Sequence, residues 1–499
     1  MKYTASILAL SLIALAPSLR ADVRLPAIIS DHAVFLSGAA VPIWGWADAG
    51  EKVEVSFAGQ TKSAMPDAKG KWMVKLDALK VDATPQELTV KGKNNLTIKD
   101  ILVGEVWLGS GQSNMALRVS QANDFVKEKG GANLPQVRMF TVDSGPSAKA
   151  EEDCKGSWAV CSPETVGNFS ATLYFFGREI HKELSVPTGL IHSSVGGTPI
   201  ESWIAPDVQQ ASSGRGGKAD ADAKTEELKA KREKALEKRK KAAKNGAEAD
   251  VPAPQAPQGA TVKSDGKGGV GGLFNGKIAP LIPYAIRGAV WYQGEANTFA
   301  GKAQLYQSQL TLLVTDWRKR WGSEFPFAWV QLPNFSAPGR DWPLVREAML
   351  KTLKLPKTGM AITIDIGDEK NIHPKNKQDV GHRLSLWALG EVYGKKVPSI
   401  SGPLPAGHEV KGDKMVLKFS HADGGLAAKS GELRGFMIAG SNKQWKPAIA
   451  TIVDDTVIVS SPEIAKPVAV RYAWLDWPDC NLFNGAGLPA SPFRTDEWN

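Results

Sequence analysis

The sequence is poor in the residues that mark disulfide-rich and metal-bound proteins. Its 499 residues include only three cysteines, Cys154, Cys161 and Cys480. Neither a C-x-x-C pair nor an H-E-x-x-H sequence occurs, so a metal site has little support and no metal or other cofactor is expected. In an exported protein Cys154 and Cys161 could close a short disulfide loop, and buried or free thiols are the alternative.

Long hydrophobic runs are absent beyond the start of the chain. A single run of about ten apolar residues, at 7–16, follows Lys2 and leads to small residues near Ala21. Such a run is too short to span a bilayer and is typical of a secretory signal. The sequence therefore predicts a signal peptide at 1–21 and a secreted or periplasmic protein without membrane attachment; a retained N-terminal anchor is the alternative.

The charge excess is small once its position is considered. The formal net charge is +9, but residues 215–250 hold twelve Lys or Arg and eight Asp or Glu and so account for +4. Lys2 and Arg20, inside the predicted signal peptide, account for two more and leave +3 for the rest of the chain. Because no basic stripe with interleaved aromatic residues occurs, the sequence predicts no nucleic-acid partner.

Three regions with different hydrophobic patterns follow the predicted signal peptide. Residues 22–100 alternate polar and apolar residues between turn-forming clusters, which predicts an N-terminal β module. Residues 101–397 contain apolar runs typical of strands buried on both faces, separated by helical segments, and predict an open, mostly parallel α/β sheet. Alternation returns in 398–499, which predicts a C-terminal β module. The predicted helices of the α/β domain include 171–184, 302–321 and 344–355, and its buried strands include 100–108, 189–195, 286–292, 327–332 and 360–366.

An insertion interrupts the α/β domain at 212–268. Residues 225–244 are nearly all Glu, Lys, Arg, Ala and Leu, with Glu–Lys pairs four residues apart, and a proline-rich stretch starts at Val251. This composition predicts an exposed charged helix followed by a flexible linker, and a docking arm is the functional alternative.

The strongest candidate for chemistry is Ser113, in the sequence GSGQSNM at 109–115. This sequence directly follows a predicted buried strand, and function in α/β sheets lies at the carboxyl ends of strands. A serine on a glycine-lined turn can project its hydroxyl while backbone N–H groups face a developing oxyanion. A serine in such a turn is more often structural, so the interpretation needs partners.

His373 is the candidate partner of Ser113. It lies in GDEKNIHP at 367–374, after another predicted buried strand, and is followed by a proline that stiffens the turn. Two further loops follow buried strands: SSVGGTPIESW at 193–203 and WYQGEAN at 291–297. Their glycine N–H groups and amide side chains are candidate oxyanion donors. Glu295 in the second loop could act as a glycosidase acid or simply brace the loop.

Together these motifs resemble the sialate O-acetylesterases and related carbohydrate esterases of the SGNH-hydrolase superfamily. The resemblance includes LPAIISDH at 25–32 and NLFNGAGLPASPFRT at 481–495, and so covers nearly the whole mature chain. It implies an SGNH-type (flavodoxin-like) three-layer α/β/α domain flanked by N- and C-terminal β-sandwich-like modules. It also implies a serine esterase that acts on acetylated carbohydrates. The site it implies has Ser113 as nucleophile, His373 as general base, Gly197 and Gln293 in the oxyanion hole, and Gln112, Trp203, Glu295 and Asn297 as substrate-binding candidates.

One position departs from the superfamily pattern. An Asp three residues before the histidine is usual, and Lys370 occupies that position here. His373 must then be oriented by Asp368, which is the predicted third member, by Asp365, or by a backbone carbonyl such as that of Asn371. A serine–histidine dyad is physically adequate, because the third member mainly fixes the tautomer and stabilises the imidazolium.

Three other functions compete with the esterase. A non-catalytic glycan-binding protein would bind sugar without releasing acetate. A glycoside hydrolase would pair Glu295 with Asp365 or Asp368 across a cleft and release reducing sugar. A structural β-rich surface protein would leave the four loops without a reason to meet at one edge of the sheet. Trp203 and Trp291 could stack on sugars, although ordinary core packing is the alternative for each.

Overall fold

The computed structural model describes residues 22–212, 269–299 and 301–498. The predicted signal peptide and, apart from its first residue, the predicted insertion at 212–268 lie outside the described residues. In the described ranges, no helix has both the length and the hydropathy that crossing a membrane requires.

Strands dominate the first hundred residues, and strands and helices alternate afterwards. The strands up to residue 361 are β1 (Val34–Leu36), β2 (Val41–Trp46), β3 (Val53–Phe57), β4 (Gln60–Ala64), β5 (Lys71–Leu76), β6 (Asp82–Lys91), β7 (Asn95–Gly111), β8 (Leu134–Val142), β9 (Gly156–Cys161), β10 (Thr188–Ser194), β11 (Gly288–Tyr292), β12 (Phe327–Val330) and β13 (Thr358–Ala361). The α-helices are α1 (Ser113–Ala116), α2 (Phe125–Gly130), α3 (Ala171–Leu184), α4 (Tyr306–Trp321), α5 (Trp342–Thr352) and α6 (Lys377–Trp387).

The central sheet has the strand order β13-β12-β11-β7-β10-β8-β9. All neighbours in it are parallel except β8 and β9. After β7 the chain first adds strands on one side and then, from β11, on the other. The carboxyl ends of β10, β7 and β11 therefore border the point where the strand order reverses, which is where α/β sheets bind ligands.

Helices cover both faces of this sheet, because alternate residues of its strands point to opposite sides. Trp107 and Val290 pack in one core with residues of α3 and α6. Leu108 and Trp291 pack in a second core with residues of α4 and α5. The predicted α/β arrangement with further β-sheet regions is confirmed at this level of detail.

Strand β7 joins the N-terminal strands to the central sheet. It is seventeen residues long, and its burial changes from alternating at 95–100 to continuous at 101–111. Its first part pairs with β6 and with β1, and its last part pairs with β10 and β11. The module boundary predicted at residue 100 thus falls inside one strand.

The C-terminal region is built from antiparallel strands around a separate core. Two four-stranded sheets, β14-β15-β20-β19 and β18-β17-β21-β23, are accompanied by the pair β16-β22. These strands are β14 (Leu404–Lys411), β15 (Lys414–Ser420), β16 (Leu426–Ala428), β17 (Phe436–Ala439), β18 (Trp445–Pro447), β19 (Ile449–Val453), β20 (Thr456–Ser460), β21 (Ala469–Tyr472), β22 (Leu482–Asn484) and β23 (Phe493–Arg494).

A buried arginine on α5 fastens this region to the central unit. The Arg346 guanidinium donates to the carbonyl oxygens of Leu332 and Pro333 beside the central sheet and of Leu475 and Asp476 in the C-terminal region. Burial lowers the pKa of Arg346 to about 9. Four carbonyl acceptors offset the cost of burying this side chain.

The three cysteines are all free thiols. Cys154 precedes β9 and Cys161 ends it, so the strand itself separates them. Both are buried, and burial raises the pKa of each thiol to about 12. Of the two alternatives, the structure has the buried thiols and not the 154–161 disulfide.

Candidate active site

Ser113 begins helix α1 immediately after the central strand of the sheet. Strand β7 ends at Gly111, which has a φ of +138°. A Cβ at this position would lie 2.1 Å from the carbonyl oxygen of Tyr292 on the neighbouring strand β11. Only glycine permits this approach together with this backbone conformation. The turn therefore places Ser113, which is half-buried, at the rim of the sheet.

His373 meets Ser113 at this rim, although 260 residues separate them in the chain. The distance from His373 Nε2 to Ser113 Oγ is 2.8 Å, within the range for a hydrogen bond. Two side chains hold the backbone of the histidine loop: Asn371 Oδ1 accepts the N–H of His373 at 2.9 Å, and Asn114 Nδ2 donates to the carbonyl oxygen of Ile372 at 3.0 Å. The structure thus joins the two residues on which the predicted chemistry depends.

The other imidazole nitrogen, Nδ1, has no hydrogen-bond partner in the part of the chain that the structure describes. Asp368 instead accepts the backbone N–H groups of Lys370 and Asn371 through Oδ1. Asp365 is engaged by Arg383 at 2.6 and 2.8 Å. The predicted orienting role of Asp368 therefore has no hydrogen bond to support it, and the backbone of the loop holds the ring.

A buried polar cluster lies beneath the serine–histidine pair. Asn114, the residue after Ser113, accepts a hydrogen bond from Lys377 Nζ at 2.7 Å and donates one to Glu295 Oε1 at 2.5 Å. Lys377 is fully buried and its ammonium group lies 5.1 Å from the centre of the Tyr292 ring. Burial lowers the pKa of Lys377 to about 7, and burial raises the pKa of Glu295.

This cluster acts on the histidine above it. Burial lowers the pKa of His373 below its ordinary value of 6.5, and the positive charge of Lys377 lowers it further. A neutral imidazole is the form that can accept a proton from a serine hydroxyl. The environment of His373 therefore favours the state that a general base needs.

We expect the acid limb of the pH–activity profile to lie below pH 6.5, because activity is lost only as the pH falls through the lowered pKa of His373. Lys377→Met removes the positive charge, so the pKa of His373 rises and the limb moves to higher pH. The measurement is kcat/KM for p-nitrophenyl acetate between pH 4 and 8. Lys375→Met, an exposed lysine in the same loop, is the matched control. A limb that stays in place in Lys377→Met would contradict this electrostatic role.

Two backbone N–H groups beside Ser113 are free to receive a negative charge. In the part of the chain that the structure describes, neither the N–H of Ser113 nor that of Gly197 has a protein acceptor. The loop that carries Gly197 lies directly against the serine, since a Cβ on Gly196 would be 3.4 Å from Ser113 Cβ. Gly197 itself has a φ of +70° and is exposed. These donors match what an oxyanion hole requires.

Three buried amide side chains tie the loops of the rim together. Gln293 Nε2 lies 2.7 Å from Asn297 Oδ1 and 3.2 Å from both Gln112 Oε1 and the carbonyl oxygen of Thr198. Its Oε1 accepts a hydrogen bond from the Tyr306 hydroxyl. The predicted oxyanion donor Gln293 is therefore occupied by protein acceptors in this structure.

The four predicted substrate-binding residues also lie in the interior. Gln112, Trp203, Glu295 and Asn297 are each no more than 3% exposed. The Trp203 indole donates to Thr198 Oγ1 and packs edge-on against Trp291. Neither tryptophan offers a face to a ligand, and core packing, the alternative given above, describes both. These residues lie beneath the surface of the site and are not positioned to contact a substrate at that surface.

A second serine–histidine contact occurs on β10, where His192 Nε2 lies 2.6 Å from Ser194 Oγ. Burial lowers the pKa of His192 to about 3. Ser194 is the last residue of β10 and is paired with Gly111, and the next N–H, that of Val195, donates to the carbonyl oxygen of Gly111. Because the Val195 N–H is already bonded, the His192–Ser194 pair lacks the free backbone N–H groups found on the turn at Ser113.

Asn114 and Lys377 are not among the predicted site residues, although Lys377 lies near the motifs as a basic residue whose direction the sequence leaves open. Both belong to the quoted motifs, Asn114 directly after Ser113 and Lys377 four residues after His373. Their position in those motifs was the available signal. Their role in the site could not be predicted from the sequence, because it depends on their burial in the folded chain.

A serine hydroxyl is hydrogen-bonded to a histidine at the point where the strand order of a parallel sheet reverses. This arrangement places the protein among hydrolytic enzymes of the α/β class. The family model described as "Carbohydrate esterase, sialic acid-specific acetylesterase" matches residues 103–230 and 276–389. The sialate O-acetylesterase of Mus musculus is 31% identical over 90% of this chain and 90% of its own length. That of Homo sapiens is 30% identical over 90% and 88%. The crystal structure of a carbohydrate acetylesterase from Xanthomonas citri superposes with a TM-score of 0.83 at 35% identity, covering 96% of this chain and all of that one.

The chain therefore belongs to the sialate O-acetylesterase family, which confirms the resemblance that the motifs indicated, and it is a carboxylic ester hydrolase.

Proposed function

We propose that the protein is a serine esterase that removes O-acetyl groups from carbohydrates through an acyl-enzyme. The observation that carries the proposal is the 2.8 Å contact between Ser113 Oγ and His373 Nε2. It is supported by the relatives named sialate O-acetylesterase and by the carbohydrate acetylesterase of similar structure. The substrate is an acetylated sugar.

In the first half of the reaction, His373 Nε2 takes the Ser113 proton as the serine oxygen attacks the acetyl carbonyl carbon. The carbonyl π electrons move to its oxygen, and the resulting oxyanion faces the free N–H groups of Ser113 and Gly197. Each such donor is worth about 3 kcal/mol of transition-state stabilisation. The oxyanion then collapses, the bond to the sugar oxygen breaks, and the imidazolium returns its proton to that oxygen.

In the second half, neutral His373 removes a proton from water, which attacks the acetyl–Ser113 ester. The same two N–H groups hold the second oxyanion. Collapse releases acetic acid, which ionises to acetate, and the proton on His373 returns to Ser113 Oγ. All proton transfers in this scheme use the one imidazole nitrogen that contacts the serine.

The site works here as a dyad whose histidine is held by its own loop. Asn371 and Asn114 fix the backbone on either side of the ring, and Lys377 biases the ring toward its neutral form. Asp368 would join as a third member only if its carboxylate formed a hydrogen bond with His373 Nδ1; its Oδ1 now accepts the N–H groups of Lys370 and Asn371. Gln293 would likewise act as an oxyanion donor only after releasing an internal acceptor.

The finer fold assignment is also a proposal. Counting from the serine strand and omitting β8 and β9, the strands β7, β10, β11, β12 and β13 have the spatial order 2-1-3-4-5, which is the flavodoxin-like order. This order, with helices on both faces, supports an SGNH-type three-layer domain. The β regions before and after it are proposed to be accessory modules.

We also propose that the protein is exported, on the strength of the apolar run at 7–16. The mature chain recovered outside the cytoplasm should then begin near residue 22. Intact-mass analysis tests this, and recovery of the full-length chain from the cytoplasm alone would contradict it.

We expect the full chain to release acetate from acetylated carbohydrates and to release no reducing sugar. The measurement is acetate and reducing-sugar production from O-acetylated sialic acid and from acetylated xylan, which also separates these two substrate classes. Binding without acetate release would establish the non-catalytic glycan-binding alternative. Reducing sugar without acetate would establish a glycosidase, for which the burial of Glu295 is unfavourable.

A further inference from the structure

A groove separates the central unit from the C-terminal sheets, and the esterase mechanism does not use it. Its volume is about 920 Å³, which is within the range of ligand-binding clefts. One wall consists of residues from α4 and α5 and from the segments just before them, and the other consists of residues around β18, β21 and β23. We propose that this groove binds a carboxylate-bearing sugar chain. The proposal goes beyond the esterase assignment and does not depend on it.

Three partly exposed tryptophans give the groove its aromatic surface: Trp445, Trp474 and Trp498. The rings of Trp445 and Trp498 lie 5.4 Å apart and are inclined by 51°, so they form a corner and not a flat stack. Such rings combine a large apolar surface with little conformational entropy to lose, which suits the apolar faces of sugar rings.

Two arginines hold two of these rings in place. The Arg471 guanidinium lies 4.3 Å from the centre of the Trp445 ring, and that of Arg494 lies 5.0 Å from that of Trp474. Both guanidinium groups are already neutralised, Arg471 by Asp496 and Arg494 by Glu347. Trp445 and Trp474 are therefore held before any ligand arrives, which reduces the entropic cost of binding.

Two further cations lining the groove have no acidic partner. Within the described residues, neither Arg340 nor Lys443 forms an ion pair; Arg340 lies over the Phe299 ring at 4.4 Å and Lys443 over the Trp498 ring at 5.4 Å. They stand on opposite walls, Arg340 before α5 and Lys443 before β18. Unpaired cations beside aromatic rings are suited to carboxylate groups carried on sugars.

The remaining polar lining favours a glycan over a nucleic acid. Asp341 and Glu347 place carboxylates in the same groove, and Gln304 and Gln307 add amides. Acidic and amide groups accept hydrogen bonds from sugar hydroxyls. Glu347 is paired with Arg494, but the Asp341 carboxylate, which forms no ion pair within the described residues, would repel a continuous phosphate backbone. The ligand is therefore expected to carry many hydroxyls and spaced carboxylates, as sialic-acid and uronic-acid polymers do.

The test is native affinity electrophoresis of the full chain carrying Ser113→Ala, which separates binding from turnover. The gels contain colominic acid, a polymer of sialic acid, polygalacturonate, a polymer of uronic acid, or neutral glucomannan. We expect retardation by at least one anionic polymer and none by glucomannan, and the polymer that retards identifies the sugar. Trp498→Ala and Lys443→Glu should each weaken binding about tenfold or more.

Trp477→Ala is the matched control, because Trp477 is 37% exposed and lies outside the groove. It should bind as the parent does. In a wild-type background, the groove variants should hydrolyse p-nitrophenyl acetate at the parental rate, which reports correct folding and separates this proposal from the esterase assignment. The proposal would be overturned if neither anionic polymer bound or if glucomannan bound equally well. It would also be overturned if Lys443→Glu left the binding unchanged.

Discussion

Ser113→Ala is expected to lower kcat for p-nitrophenyl acetate by a factor of at least about 10⁴, since removing a nucleophile leaves only the contribution of binding and of the oxyanion donors. The substitution deletes one oxygen atom from a half-buried side chain that hydrogen-bonds to His373 Nε2. The fold should therefore be preserved, and the thermal unfolding transition should stay close to that of the wild type. Turnover and unfolding are measured on the same preparation.

Ser194→Ala provides the control for this prediction. Ser194 also contacts a histidine, His192, at 2.6 Å and lies on the neighbouring strand β10. If a serine–histidine contact alone made a nucleophile, both variants would lose activity. We expect only Ser113→Ala to do so, because Ser113 stands on a turn with free N–H groups, whereas Ser194 is paired with Gly111 at the end of a strand and the N–H after it is already bonded. The reverse result would move the nucleophile to Ser194.

His373→Ala is expected to lower kcat by about 10³- to 10⁴-fold or more, because the serine then lacks a base and the leaving sugar oxygen lacks an acid. The half-buried position of His373 leaves a cavity that external imidazole can enter. Added imidazole should therefore restore part of the activity, with a pH dependence that follows the free imidazole. Partial restoration distinguishes a proton-transferring residue from one that only supports the fold.

His382→Ala is the matched control for the histidine. His382 is an exposed residue of helix α6, nine positions further along the chain. Its substitution should leave kcat close to the wild-type value, and imidazole should have no effect on it. If His373→Ala retained full turnover, the general base would have to be a different group and the mechanism given above would be wrong.

Much of the architecture could be predicted from the sequence, because burial on two faces leaves a strong pattern. Helix α3 occupies the predicted 171–184, and α4 ends at the predicted residue 321 after a short 3₁₀ turn at Ala303–Leu305. The boundary predicted at residue 100 rests on a change from alternating to continuous apolar residues. In the structure that change occurs inside the single strand β7, which is half-exposed at its start and buried from residue 101 onward.

The candidate site was only partly predictable, for a different reason. Motif position placed Ser113 and His373 on loops that follow parallel strands, and such loops share one edge of a sheet. Which side chains of those loops face outward depends on packing between distant segments. Trp203 and Glu295 resemble surface ligands in the sequence but are closed over by neighbouring loops. Lys377 resembles a solvent-exposed charge but is buried beside Tyr292.

The length of β7 limits how this protein can be divided. A recombinant fragment starting at residue 101 would retain Ser113 but would lose β1, whose residues Val34, Phe35 and Leu36 now pair with 102–104. The main-chain groups freed there would form an unprotected edge, which invites pairing between molecules and precipitation. The catalytic unit and the N-terminal strands thus have to be produced, exchanged or evolved in the laboratory as one piece.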